Sequence, residues 1–186
     1  MKFTINEKLR APPQPEQGAR IAGAPAVSAG DCGLLLLRIT FGLLLAGHGC
    51  QKLFGLFGGD GLAATGRYLA SLGFRPGVLF AAIGGGSEFL GGIGLALGLL
   101  TPLASAALIG VMINAMVTVT AAHGLWDTQG GVELNVCIAV VALAIAAIGP
   151  GRLALDRPFR WGKGGWTEAA FALCVGGISA AIALAL

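Results

Sequence analysis

Charged side chains are scarce in this sequence: Asp, Glu, Lys and Arg together make up 11% of its 186 residues. A soluble domain carries roughly a quarter, so the shortage excludes an ordinary water-soluble globule. A mean hydropathy of +0.81 points the same way. The short alternating segments that build a membrane barrel are missing, which leaves helices as the elements able to satisfy their own backbone in lipid. The four cysteines, Cys32, Cys50, Cys137 and Cys174, form no C-x-x-C and no metal-ligand spacing. Three of them sit in apolar runs, where cysteine behaves as a small hydrophobe, and no metal site is expected. No apolar core precedes the small-residue triplets of the first thirty positions, so no cleavable signal peptide is expected either. The net charge of +3 is modest, and the basic residues stand in loops beside apolar runs rather than on a nucleic-acid-binding face.

What the sequence has in abundance is apolar runs of about 20 residues, each long enough for a hydrocarbon layer of ~30 Å. Five can be placed: Gly33 to Leu56, Gly77 to Leu100, Leu103 to Ala122, Val132 to Ile148, and Thr167 to Leu186. Thr101-Pro102 breaks the second from the third, with proline suited to a first helical turn. Gly149-Pro150-Gly151 closes the fourth. The expected fold is an all-α membrane protein, a four-helix transmembrane bundle plus a fifth C-terminal apolar helix. Three regions follow: a disordered cytoplasmic tail over 1–31, the four-helix domain over 32–156, and a basic interfacial loop with the fifth helix over 157–186. Between the first two runs, Leu62, Leu69 and Leu72 recur near helical spacing after Asp60. This predicts a short amphipathic surface helix capped by Asp60, with an irregular loop as the alternative.

Basic residues orient the chain. Lys2, Lys8, Arg10 and Arg20 in the tail and Arg152, Arg157, Arg160 and Lys163 in the last loop face Lys52, Arg67 and Arg75 on the other side, eight against three. That bias puts the N-terminus in the cytoplasm and an odd number of spans puts the C-terminus outside. Trp161 and Trp166 beside the basic loop fit an interfacial aromatic belt.

Ionisable groups inside spans are the functional signal, since each costs about 2.5–3.5 kcal/mol to insert and normally faces protein or water. The candidates form a ligand-binding cluster of Arg38, His48, Gln51, Lys52, Glu88, His123 and Glu133. At 100° per residue Lys52 lies about 40° from both Arg38 and His48, on one stripe of the first helix. Arg38 also admits a plainer reading, a side chain snorkelling to the headgroups. Glu88 sits in "AAIGGGSEFLGGIGLALG", with Gly84, Gly85, Gly91 and Gly92 three and four positions away, on a face stripped of side chains. It either meets a cation or hydrogen-bonds as a neutral acid between helices. The inferred orientation brings His48, Gln51, Lys52, Glu88, His123 and Glu133 towards the outer half, where Lys52 and His48 are expected to counter Glu88 and Glu133. Asn114 points about 180° from His123 if the third run stays a regular helix.

The stretches "RITFGLLLAGHGCQKLFGLFGGDGLAATGRYLASLGFRPG", "SEFLGGIGLALGLLTPLAS" and "GGVELNVCIAVVALAIAAIGPGRLALD" resemble the DoxX family of small bacterial membrane proteins, over about Leu34 to Asp156. The motifs are Arg38, His48-Gly49 with Gln51-Lys52, Glu88-x-x-Gly91-Gly92, Thr101-Pro102, Glu133 and Gly149-Pro150-Gly151-Arg152. The resemblance implies a four-helix bundle in the bacterial inner membrane and relatives associated with redox chemistry. Among these are the DoxD-type subunit of a thiosulfate:quinone oxidoreductase and members of membrane complexes that handle thiol and oxidative stress. The long tail and the fifth helix depart from the four-helix pattern and leave homo-oligomerisation open.

The first functional expectation is therefore a redox-associated membrane subunit that meets a quinone or an oxidoreductase partner. His48 or Lys52 would donate to a quinone head, and Glu88 or Glu133 would relay protons. No covalent cofactor motif is present, so electrons would come from the partner; His48 and His123 as haem ligands are a weaker alternative. The second expectation is a non-catalytic assembly or scaffold subunit. A small transporter ranks below both, because no internal repeat of the carrier type is found.

Overall fold

The computed structural model describes residues 27–186, all helices and connecting turns, with no strand among the described residues. The part of the expected tail that falls in residues 1–26 lies outside the described residues. Six α-helices follow in order: α1 Ala29–Phe54, α2 Gly61–Ser71, α3 Gly77–Leu97, α4 Thr101–Ala115, α5 Glu133–Ile148 and α6 Trp166–Ala185. α4 continues through a π turn over Met116–Thr120 and a 3-10 turn over Ala121–His123. Four stretches are long and apolar enough to cross a membrane: Ala29–Phe54, Gly77–Leu97, Thr101–His123 and Trp166–Ala185. α5, with 16 residues, rises about 24 Å and is the short one. The C-terminal helix α6 has the length to cross.

α1, α4 and α6 run from a near end, where α1 starts, to a far end; α3 and α5 return. α1 packs along α3, α3 on α4, and α4 lies between α5 and α6. α4 is accordingly the most buried element, with Leu108, Ile109 and Met112 in a core shared with Leu45, Leu95, Ile138 and Ala142. α1 begins four residues before the apolar run suggested. The cause is a capping box: the Ser28 hydroxyl accepts from Asp31 N–H at 3.1 Å and Asp31 Oδ2 accepts from Ser28 N–H at 2.9 Å. The other Asp31 oxygen accepts from Arg152 N–H at 2.9 Å, which ties α1 to the chain leaving α5.

α2 is the expected amphipathic helix, but Asp60 does not cap it. Its backbone is already helical and its side chain makes no capping bond. Pro102 stands in the first turn of α4, as its fixed φ favours. At the turn before it, Gly98 adopts φ +62, and a Cβ there would lie 2.9 Å from Arg38 Cζ, so only glycine serves.

Candidate functional site

Glycines set the register of α1 against α3. A Cβ on Gly42 would fall 2.6 Å from Gly92 O, and one on Gly49 would fall 2.7 Å from Gly85 O. The two backbones therefore touch at points two turns apart, in antiparallel sense. In such a pair each side chain leans towards the start of its own helix. Lys52, late in α1, leans inward, and Glu88, the twelfth of the 21 residues of α3, leans outward towards it. Lys52 Nζ meets Glu88 Oε1 at 2.5 Å. Glu88 is 2% exposed, whereas the Lys52 side chain keeps 38% of its surface open. The pair is thus one-sided: a sealed carboxylate and a cation with a way out.

That way out is a cavity of about 390 Å³, roofed by α2 and walled by α3, α4 and α6. Lys52 lines it, with Thr65 and Tyr68 from α2, Gly84 and Ser87 from α3, Asn114, Thr118 and Thr120 from α4 and its π turn, and Ser179 from α6. Phe74, Phe80, Ile83 and Val111 give it apolar walls. Among the described residues, four buried side-chain oxygens lack a partner: the hydroxyls of Thr101 and Ser105, Glu88 Oε2 and Asn114 Oδ1. Hydroxyls rotate to donate; a carboxylate or amide oxygen needs a donor brought to it. Asn114 spends its own donor on Gly110 O one turn back, at 3.1 Å. Asn114 lines the cavity as a residue, while its oxygen itself is sealed and unpartnered.

The other sequence candidates disperse. Arg38 is fourteen residues before Lys52 on α1, about 21 Å along the axis, and belongs to the near end. It is 1% exposed and does not snorkel: Nε donates to Leu95 O at 3.2 Å, Nη2 to Ala96 O and Leu153 O at 3.1 and 3.0 Å, and Nη1 to Pro150 O. Those carbonyls terminate α3 and follow α5, so the guanidinium binds three segments together. Gln51 Nε2 donates to Phe57 O at 3.1 Å and steadies the turn after α1. His48 is half-buried and has no hydrogen bond among the described residues. His123 is exposed, its ring Nδ1 3.0 Å from Val119 O. Glu133 is exposed and accepts from Asp127 N–H at 3.0 Å.

The expected convergence thus reduces to Lys52 and Glu88. The reason lies in α4, whose last turns widen to π and then tighten to 3-10, so the regular-helix angle between Asn114 and His123 does not apply. Glu133 is engaged by the loop at its own helix start rather than by Lys52 or His48. Sequence reasoning did not single out Thr118, Thr65 and Tyr68, yet Gly110, Asn114 and Thr118 recur every four residues along an apolar helix. That stripe was the available signal. No cluster of three or more His, Cys, Asp or Glu that would hold a metal occurs among the described residues.

An apolar multi-span helical bundle with an inter-helix ion pair beside an internal cavity defines the class: an integral, multi-pass α-helical membrane protein. Within that class, residues 33–121 match the model of the DoxX family, and this stretch is a DoxX domain. The match runs from α1 to the end of the π turn and contains both Lys52 and Glu88. It stops before Glu133 and the Gly149-Pro150-Gly151-Arg152 motif. Comparison with curated proteins and with solved structures gave no match.

Proposed function

We propose that this protein is a redox-associated subunit of the bacterial inner membrane, with its N-terminus in the cytoplasm, that binds a quinone or chemically similar lipid-soluble carrier in the far-end cavity. The observation that carries the reading is the cavity's make-up: apolar walls and one cation backed by a buried carboxylate. A volume of about 390 Å³ falls in the range of small-molecule sites, which are mostly apolar with a few placed polar groups. The residues fit such a carrier. Lys52 Nζ and the Tyr68 hydroxyl donate to a carbonyl head, while the Thr65 hydroxyl, whose proton goes to Gly61 O at 2.9 Å, can accept from a hydroxyl. A bound quinone would supply two-electron, two-proton chemistry, with electrons delivered by an oxidoreductase partner. Glu88 holds Lys52 in place and can exchange a proton with it across their shared hydrogen bond.

The test is binding in lipid nanodiscs. Gly84 lines the cavity, and nothing lies within 4 Å of where its Cβ would be, so Gly84→Phe fills the space without striking a neighbour at the Cβ. A short-tailed benzoquinone should raise the Tm of the native protein and leave that of Gly84→Phe unchanged. No shift in either protein, or the same shift in both, refutes the reading.

One observation favours the second reading, a non-catalytic assembly subunit: Lys52–Glu88 and Arg38 each tie separate helices together. Such a subunit would co-purify with its partner complex irrespective of quinone, and Gly84→Phe would retain full complex activity.

A further inference from the structure

At the near end, away from the ion pair and its cavity, the chain leaving α5 builds a second feature. Asp156 is fully buried. Its Oδ1 accepts from Leu100 N–H at 2.9 Å and Trp161 Nε1–H at 3.0 Å, and its Oδ2 from Thr101 N–H at 2.6 Å. These bonds fasten the loop to the start of α4 and fix the Trp161 indole, on which the Phe159 ring stacks at 4.8 Å. A groove of about 240 Å³ results, between Leu100, Pro102 and Leu103 on one side and Thr167, Glu168 and Phe171 on the other, closed by Arg160 and Trp161.

The charges around this groove are unspent. The side chains of Arg157, Arg160 and Lys163 make no hydrogen bond or ion pair with any described residue. Asp156 is not free to answer them, because its oxygens already hold three donors. Glu168 also lines the groove, at the start of α6, and is the one carboxylate there without a hydrogen bond or ion pair to a described residue. Leu103 and Phe171 meanwhile stand half-exposed as the apolar floor, and Trp166 is 91% exposed beside them, at the level where tryptophan anchors to headgroups.

We infer that this groove is a binding site for an anionic phospholipid, its phosphate held by Arg160 with Arg157 and Lys163 nearby and its acyl chain laid over Leu103 and Phe171. Charge complementarity selects the headgroup: three basic side chains against the single unpaired acid Glu168, with Asp156 engaged, favour a net-negative lipid over a zwitterionic one. The apolar floor selects a lipid over a free phosphate, which would leave Leu103 and Phe171 bare. The site is independent of the far-end cavity and stands or falls without it.

The experiment is native mass spectrometry and thermal unfolding of the delipidated full chain, titrated with phosphatidylglycerol, with phosphatidylcholine of the same acyl chains, and with inorganic phosphate. Phosphatidylglycerol should be retained through detergent release and raise the Tm; phosphatidylcholine and phosphate should do neither. Arg160→Gln should weaken phosphatidylglycerol retention about fivefold, and Arg160→Gln with Lys163→Gln by more, in line with the contribution of each basic residue near an anionic headgroup. Phe171→Ser should weaken it while keeping the headgroup preference. Equal retention of the two lipids, full competition by phosphate, or unchanged retention in Arg160→Gln overturns the assignment. So does loss of a co-purifying protein, with lipid binding intact, in the double variant.

Discussion

The asymmetry of the Lys52–Glu88 pair makes a quantitative prediction. Glu88 is sealed, and removing its partner leaves a carboxylate with both oxygens unanswered. Breaking a buried pair from one side costs about 3–5 kcal/mol, and since the Lys52 side chain is 38% exposed we place Lys52→Met at the lower edge, about 2–3 kcal/mol. Glu88→Gln keeps the shape and a hydrogen-bonding carbonyl, and the lysine left behind can turn into the cavity, so its loss should be about 1 kcal/mol. Glu88→Leu removes that hydrogen bond as well and should fall between the two. The double variant Lys52→Met with Glu88→Leu has no orphaned charge and should cost less than Lys52→Met alone. Equilibrium unfolding in mixed micelles of increasing SDS fraction, followed by far-ultraviolet circular dichroism, measures all four. The reasoning fails if the double variant equals the sum of its singles within ~0.5 kcal/mol, because uncoupled sites add. It fails equally if Glu88→Gln is as damaging as Glu88→Leu.

Three further outcomes are expected. Gly92→Ala, whose Cβ would lie 2.5 Å from Gly42 O and Ala46 N, should force α1 from α3 and destabilise by about 1–3 kcal/mol, whereas Gly84→Ala, with open space, should be neutral; thermal unfolding of both in detergent decides. Arg38→Lys should lose about 3 kcal/mol, because an ammonium cannot serve three chain segments with the planar fork that reaches Leu95, Ala96, Pro150 and Leu153; a Tm equal to that of the native protein would contradict this. In a cysteine-free background, a membrane-impermeant maleimide applied to spheroplasts should label Arg67→Cys and not Lys163→Cys, and the reverse pattern would invert the proposed orientation.

The extent to which the sequence disclosed this molecule follows from the range of the forces involved. Solvent preference acts locally, so each apolar run became a helix, and Gly149-Pro150-Gly151 and Thr101-Pro102 marked breaks that the backbone obeys. Glycine spacing around Glu88 signalled a close approach, and α1 lies there in backbone contact. The partners of Arg38, His123 and Glu133 were not legible, because they depend on end effects. A capping box formed by Ser28 and Asp31 lengthens α1, a π turn alters the face of α4 after Asn114, and the loop at Asp127 engages Glu133. None of these has a hydrophobic period.

The two ends of the bundle therefore treat polarity in opposite ways. At the near end, Arg38 and Asp156 are buried with several partners each, all of them backbone groups or the Trp161 indole. Such bonds depend on the chain path and do not change with a ligand, so they hold the loop rigid. At the far end, Glu88 has one partner and that partner is a flexible side chain, while Asn114 Oδ1 has none. A lone lysine bond can be released and remade when a ligand offers Lys52 another acceptor. The glycine contacts between α1 and α3 keep the helices themselves from yielding as this happens. Exchange of partners is thus confined to the side chains around the cavity, which is the arrangement that binding a small amphipathic molecule within a rigid membrane bundle requires.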